Sequence, residues 1–311
     1  MKREKRILVI GGSGFIGTHL CIGLKAHGFI PIILDHVAPM HVDAEFHQCD
    51  MSSGADSLST LLNSVEAIYH LAWTTKPQSA NEAPLYDLQT NVVEGLRLLD
   101  RLARHPKPPR LIFVSTGGAI YGRTIDEKIG EEHPTFPLNA YGVSKLAFEH
   151  YLRLYRHLHN LDYVVFRPSN PYGEFQDPLG NQGAVSVFLG KLARGEEITI
   201  WGDGSVIRDY FYVGDLVNAL LGGLDYTPGD TDPRVFNVGS GHGIDLRQLI
   251  AIMSRITRRT AQIVYTNGRK TDAPHIILDI RRICAQLNWA PTTDIEDGLT
   301  RTWKWILSLG L

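Results

Sequence analysis

The sequence predicts an α/β fold: a mostly parallel sheet covered by helices on both faces, followed by a smaller C-terminal lobe. Three observations predict it. A short apolar run, Ile7-Leu8-Val9-Ile10, leads straight into the glycine-rich turn Gly11-Gly12-Ser13-Gly14-Phe15-Ile16-Gly17. β-rich runs then alternate with helical periodicity through the first half, the order that lays parallel strands side by side with helices crossing over them. After Pro168 the alternation loosens into glycine- and proline-rich stretches.

The strands of the first half are expected at Arg6–Ile10, Ile30–Asp35, Ala67–Leu71, Arg110–Ser115 and Tyr163–Arg167. Helices are expected at Gly14–His27, Tyr86–Arg104 and Ala140–His159. Gly14–Leu24 sets apolar residues at helical spacing, so the helix after the turn packs on the sheet. Farther on, the pattern predicts a helix at Gly183–Arg194, a strand at Glu197–Trp201, and helices at Leu246–Ile256 and Ile295–Leu307. Ser52–Asn63 mixes polar and apolar residues without a readable form. The expected division is residues 1–168 and 169–311, with a cleft between the lobes and room for segment exchange.

At 311 residues the chain can bury a substantial core. Its 31 basic and 33 acidic residues leave a net charge of -2, so charge makes no case for a nucleic-acid partner. Cys21, Cys49 and Cys284 are too scattered for a metal cluster or a disulfide framework and suit a reducing compartment. Residues 1–6 are too short and polar for a signal peptide, and no apolar span reaches membrane length. The expectation is a soluble cytoplasmic protein with no metal and no membrane contact.

The turn has a specific use. Small residues let a bulky diphosphate approach the backbone, and the following helix offers unpaired N–H groups to it. Gly11, Gly14, Phe15, Ile16 and Gly17 are the candidate residues. Eighteen residues beyond Gly17 the second strand ends in Asp35, whose carboxylate can accept both adenosine ribose hydroxyls and would repel a 2′-phosphate. The cofactor read from these residues is NAD rather than NADP, on a Rossmann-like parallel sheet.

Tyr141-Gly142-Val143-Ser144-Lys145 carries the catalytic chemistry. Residues four apart share a helix face, so Lys145 stands near the Tyr141 phenol and the nicotinamide ribose. Its charge favours a phenolate, giving a base expected to be poised near working pH. A hydroxyl to polarise the reacting oxygen is offered by Thr116 or Ser115 at a strand end; both serve equally well as turn caps.

Together these residues resemble the extended short-chain dehydrogenase/reductase family, in particular its nucleotide-sugar 4-epimerase branch, over nearly the whole chain. Gly11, Gly14 and Gly17 match the cofactor fingerprint and Asp35 its ribose-binding acid. Asp50-Met51 resembles the pair that contacts adenine, and His70-Leu71-Ala72 the segment beneath the cofactor, which adds Leu71 and Ala72. Asn91 resembles the helix asparagine that supports the fold. The resemblance implies that Asn170, in Asn170-Pro171-Tyr172-Gly173, and Arg208 and Arg269 contact a sugar diphosphate. Arginine forks suit phosphate oxygens while leaving the sugar free to turn.

One departure stands out. Many such epimerases carry serine or threonine where this chain has Gly117, which donates nothing from its side chain; Thr116, Ser115 or a water is left to compensate. The acidic pair of the dehydratases falls at Gly118 and Ala119, which disfavours dehydration. The implied reaction is NAD-dependent epimerisation at C4 of a nucleoside diphosphate sugar, UDP-linked, through a 4-keto intermediate, with Thr116 and Tyr141 also touching the sugar. The alternatives are an NAD-dependent oxidoreductase that releases its product, or a noncatalytic nucleotide-sugar-binding protein. Helices Leu85–Leu102 and Ala140–His159 have apolar faces that could pair two copies into a homodimer, as in similar proteins.

Overall fold

A computed structural model of the chain describes residues 5–49, 56–124, 126–268 and 273–311. Its elements run, in order, β1 (Arg6–Ile10), α1 (Phe15–Ala26), β2 (Ile30–Asp35), β3 (Glu45–Gln48), α2 (Asp56–Leu62), β4 (Ala67–His70), α3 (Pro77–Glu82), α4 (Pro84–Asp87), a π-helical turn (Leu88–Val93), α5 (Glu94–Arg104), β5 (Arg110–Val114) and the short α6 (Gly117–Ile120). There follow α7 (Ala140–His159), β6 (Tyr163–Pro168), β7 (Asn170–Tyr172), α8 (Ala184–Arg194), β8 (Ile198–Trp201), β9 (Ile207–Arg208), β10 (Tyr210–Tyr212) and α9 (Val213–Asp225). The chain closes with β11 (Val235–Val238), β12 (Ile244–Asp245), α10 (Leu246–Thr257), β13 (Ile263–Thr266), β14 (His275–Ile276), α11 (Arg281–Leu287) and α12 (Ile295–Ser308).

Seven strands form one sheet in the order β11-β6-β5-β4-β1-β2-β3, and every pairing from β6 across to β3 is parallel. Strand order reverses between β1 and β4, the point at which a doubly wound sheet opens a crevice at its carboxyl edge. The glycine turn after β1 and Leu71-Ala72 after β4 flank that point, and the Ile10 carbonyl accepts from both Leu71 N (2.9 Å) and Ala72 N (3.0 Å). One core face sets Leu8, Ile10, Ile68, Leu111, Phe113 and Val165 of the strands against Leu98, Leu99 and Leu102 of α5 and Phe148 and Leu152 of α7. Each such side chain contributes roughly 1.5–3 kcal/mol by leaving water.

The chain divides into two compact units, each built from three segments. The first comprises Met1–Ile120, Asn139–Arg167 and Val217–Phe236; the second comprises Tyr121–Leu138, Pro168–Leu216 and Asn237–Leu311. Two segments therefore cross the expected boundary at residue 168. Residues 217–236 return to the first unit because α9 supplies sheet packing: the Tyr69 hydroxyl donates to the Leu220 carbonyl at 2.8 Å, and Gly23 of α1 leaves no room for a Cβ beside Val217. Residues 121–138 belong to the second unit, where Ile129 bridges to Leu278 and Asn237 Nδ2 donates to the Ile129 carbonyl at 2.8 Å.

The expected Tyr86–Arg104 helix is not one regular helix. α4 passes through the π turn before α5 begins, and such turns are frequent at functional sites. Here the turn carries Asn91, which reaches the segment after β4. Among the described residues no helix is long and apolar enough to cross a membrane.

Candidate active site

The glycines at the β1–α1 turn do different work. Gly11 has φ +87°, and a Cβ there would lie 2.6 Å from Ala72 N. A Cβ on Gly17 would lie 2.2 Å from the Gly11 carbonyl oxygen, so Gly17 lets α1 close on the turn. Gly14 differs: a Cβ there would meet only the Gly11 oxygen, at an ordinary 3.6 Å. Among the described residues, no packing contact explains Gly14. Its missing side chain leaves the approach to the start of α1 open.

Gly14 is also the N-cap of α1 and makes no side-chain capping bond, which leaves the first-turn amides around Phe15, Ile16 and Gly17 to an anion. Asp35 ends β2 against this turn: its carboxylate accepts from Ser13 N at 3.0 Å and from His36 N at 2.7 Å. A held carboxylate beside an open helix terminus fits the ribose and diphosphate of NAD. Asp50 and Met51 lie outside the described residues.

α7 positions the candidate reacting pair. Asn139 caps it, accepting from Gly142 N at 2.8 Å, and Ala140 N donates to Asn81 Oδ1 at 2.8 Å. Tyr141, Lys145 and Glu149 recur every four residues and so share one helix face. Lys145 is buried; its Nζ donates to the Val114 carbonyl at 2.8 Å. The same Nζ lies 4.0 Å from the Trp73 ring centroid and 4.7 Å from that of Phe113. Burial pushes the Lys145 ammonium down to about 7, opposed by the charges of Glu149 and Asp87. The Tyr141 phenol is pushed up, first by burial and then by Asp87.

These shifts correct the expectation of a phenol poised near working pH in the protein alone. Lys145 points its hydrogen bond at Val114 rather than at the phenol, and burial raises the phenol.

Ser115 is corrected as well. Its hydroxyl donates to Glu149 Oε1, inside a buried pair in which Arg167 Nη2 donates to Glu149 Oε2 at 2.6 Å. In this structure the side chain supports α7, the turn-support role that the sequence also allowed it. Thr116, the next residue, is buried where β5 gives way to α6. Gly117 opens α6 and leaves that turn without a second side chain.

A second buried network holds the other flank. Asp87 is fully buried and accepts from Thr75 Oγ1, from Ser144 Oγ and from Asn91 Nδ2, the last at 2.9 Å. Asn91 Oδ1 in turn accepts from Thr74 N at 2.8 Å. The π turn, the segment after β4 and the residue beside Lys145 are thus tied through one carboxylate.

In the second unit, Asn170 sits in register with Tyr210 between β7 and β10. Its backbone N and its Nδ2 donate to the Asp209 carbonyl at 3.1 and 3.2 Å. Arg208, at the end of β9, immediately precedes the residue that Asn170 bonds. The buried Asp209 carboxylate fixes the segment by accepting from Ser240 N at 2.8 Å and Gly241 N at 3.2 Å. Arg269 lies outside the described residues. Among the described residues, no cluster of His, Cys, Asp and Glu is arranged to hold a metal ion.

Sequence reasoning missed Trp73, Asp87 and Glu149. Glu149 was within reach, one helical turn beyond Lys145. Trp73 follows the recognised Ala72, but its contacts with α7 are tertiary. Asp87 lies one turn before Asn91 and had no local signal for burial.

A doubly wound sheet, an open helix terminus with an acid at the next strand end, and a Tyr-x-x-x-Lys face beside the switch point define a dinucleotide-dependent α/β protein. The chain belongs to the NAD dependent epimerase/dehydratase family, whose description matches residues 7–239. It is 33% identical over 310 residues to the UDP-glucose 4-epimerase of Mycolicibacterium smegmatis, covering 96% of this chain and 97% of that one. It is 32% identical over 314 residues to a dTDP-4-dehydro-6-deoxyglucose reductase of Escherichia coli, covering 97% and 98%. Its structure is similar to the UDP-glucose 4-epimerase of Thermotoga maritima crystallised with UDP-glucose, with a TM-score of 0.91, 33% identity, and coverage of 98% and 100%.

Proposed function

We propose that this enzyme inverts C4 of a UDP-linked sugar through a 4-keto intermediate. The observation that carries the reading is the helix face on which Tyr141 and Lys145 meet, 5.8 Å from ammonium to ring. Full-length similarity to UDP-glucose 4-epimerases supports the sugar.

The residues around the turn fit NAD: the first-turn amides and Gly14 take the diphosphate, and Asp35 takes the ribose hydroxyls. Bound there, NAD⁺ would supply a reversible hydride acceptor for C4 and a positive charge beside it. Tyr141 takes the C4 hydroxyl proton as the hydride leaves and returns a proton to the C4 oxygen in the second half-reaction. Thr116 donates to that oxygen and does the work that Gly117 cannot. Lys145 serves the nicotinamide ribose and the phenol from the same helix face, and its charge lowers the cost of the phenolate. Asn170, Arg208 and Arg269 bind the sugar diphosphate.

The test uses UDP-glucose deuterated at C4. Internal return leaves deuterium at C4 of the epimer, with no free reduced cofactor. Deuterium in released NADH selects the second reading, an oxidoreductase, which the similarity to the E. coli reductase favours.

We further assign the enzyme to the cytoplasm and to a homodimer. Leu85 and Tyr86 of α4 are 65% and 54% exposed, and Leu158 of α7 is 59% exposed, an apolar surface that a second copy would cover. Sedimentation at micromolar concentration would return a monomer if that assignment is wrong.

A further inference from the structure

Beneath the Tyr141–Lys145 face, His70 of β4, Phe113 of β5, Phe148 of α7 and Trp73 pack ring against ring. Trp73 lies 5.8 Å from Phe113 and 6.4 Å from Phe148, centroid to centroid. Gly95 leaves no room for a Cβ beside Phe148, whose Cε2 would stand 2.5 Å away, so that ring is held from behind. The backbone on either side of Trp73 is pinned: Ala72 N donates to Ile10 at 3.0 Å, and Thr74 N to Asn91 Oδ1 at 2.8 Å. The indole is therefore fixed at both flanks and along its body.

That one ring meets both members of the reacting pair. Its face lies 4.0 Å from Lys145 Nζ, and it meets the Tyr141 phenol edge to face, at 6.4 Å and 80°. The ammonium donates to the Val114 carbonyl, and its other sides look onto Trp73, Phe113 and, at 5.8 Å, the Tyr141 ring. Trp73 Nε1 and both ring nitrogens of His70 are buried without hydrogen-bond partners among the described residues. The charged and titratable groups around the ammonium are His70 from β4, Tyr141 and Glu149 from α7, and Asp87 from α4. Of these the carboxylates favour the charge, and His70, held neutral by burial with its value down to about 3, adds none.

We propose that Trp73 is a positioning residue for this reaction: its indole face seats the Lys145 ammonium while its rim buttresses the Tyr141 ring. The spacing of base and cation is thereby set from below by an aromatic surface. The role rests on reading Tyr141 and Lys145 as the reacting pair; the contact itself does not. A desolvated cation gains substantially from an aromatic face, and a ring held on two sides places that gain at one point in space.

The experiment uses the purified protein labelled with ¹³Cε,¹⁵Nζ-lysine, with the Lys145 signal assigned from Lys145→Met. In the wild type the Lys145 Hε resonance is shifted upfield by the ring currents of its cage. Trp73→Leu removes most of that shift and lowers the Lys145 titration midpoint by about one pH unit. Trp73→Phe restores part of both. Trp73→Leu also lowers kcat more than it changes KM for the UDP-sugar. Fluorinated tryptophans at position 73 alone keep the shape and drain the ring's negative face, so the midpoint falls stepwise with each fluorine, even if Trp73→Leu does not fold. An unchanged Lys145 signal in Trp73→Leu, or a midpoint that ignores fluorination, overturns the proposal. Loss of turnover on every UDP-sugar by the wild type would overturn the epimerase reading instead and leave these resonances as they are.

Discussion

Arg167 and Glu149 form a closed ion pair in the interior: Arg167 Nη2 lies 2.6 Å from Glu149 Oε2, with the side chains 8% and 5% exposed. The pair stands one helical turn beyond Lys145 and takes up the Ser115 hydroxyl. It ties β6, β5 and α7 together directly behind the candidate chemistry. Its value lies in fixing where α7 sits, since a buried pair pays heavily for desolvation.

Removing one partner leaves the other charge buried and alone. Glu149→Gln is expected to lower unfolding free energy by about 3–5 kcal/mol. Replacing both partners, as Glu149→Leu with Arg167→Met, recovers most of it. Urea denaturation of the three proteins checks this, and a single variant as stable as the wild type would contradict it.

Gly14 and Gly17 are expected to fail differently. Gly17→Ala drives a methyl into the Gly11 carbonyl and weakens the fold. Gly14→Ala finds only ordinary contact within the protein, keeps the melting temperature, and loses NAD affinity at least about tenfold through one displaced phosphate contact. Calorimetric melting and NAD titration separate the two.

Lys145 gives a pH dependence with a definite sign. Its folded value lies near 7 and its unfolded value near 10.5, so the unfolded chain binds the extra proton between them. Stability therefore rises with pH across that window relative to Lys145→Met, and the difference is flat below about 7. Denaturation of the cofactor-free protein from pH 6 to about 10 tests it; a difference independent of pH would show that the ammonium is not buried.

Tyr141→Phe should lower kcat by about 10²–10⁴-fold while leaving NAD binding nearly intact, as expected for loss of a proton-transfer group. Stopped-flow and cofactor titration read the two separately. Turnover close to the wild type would remove Tyr141 from the mechanism.

Much of this was legible where the chemistry is local. β1, β2 and α7 stand where hydrophobic period and capping residues put them, because Asn139 caps the helix that its position announces. The glycine turn and Asp35 were readable for the same reason. Ser115 was not, because the side chain's partner lies 34 residues away and only the packing of α7 on β5 reveals it. The π turn at Leu88–Val93 was hidden because the residue it presents, Asn91, makes its bond to Thr74 across the fold. The low Lys145 value was hidden too, since spacing places Lys145 beside Tyr141 without telling how deeply both are buried.

The central claim is that one pocket holds the phenol, the ammonium and a sugar carbon that is oxidised and then reduced in place. NMR of the purified protein with a panel of UDP-sugars follows C4 configuration directly. The account predicts a C4 epimer formed to equilibrium with no accumulation of NADH. Intact C4 configuration across the panel, with NAD bound to the protein, would contradict it.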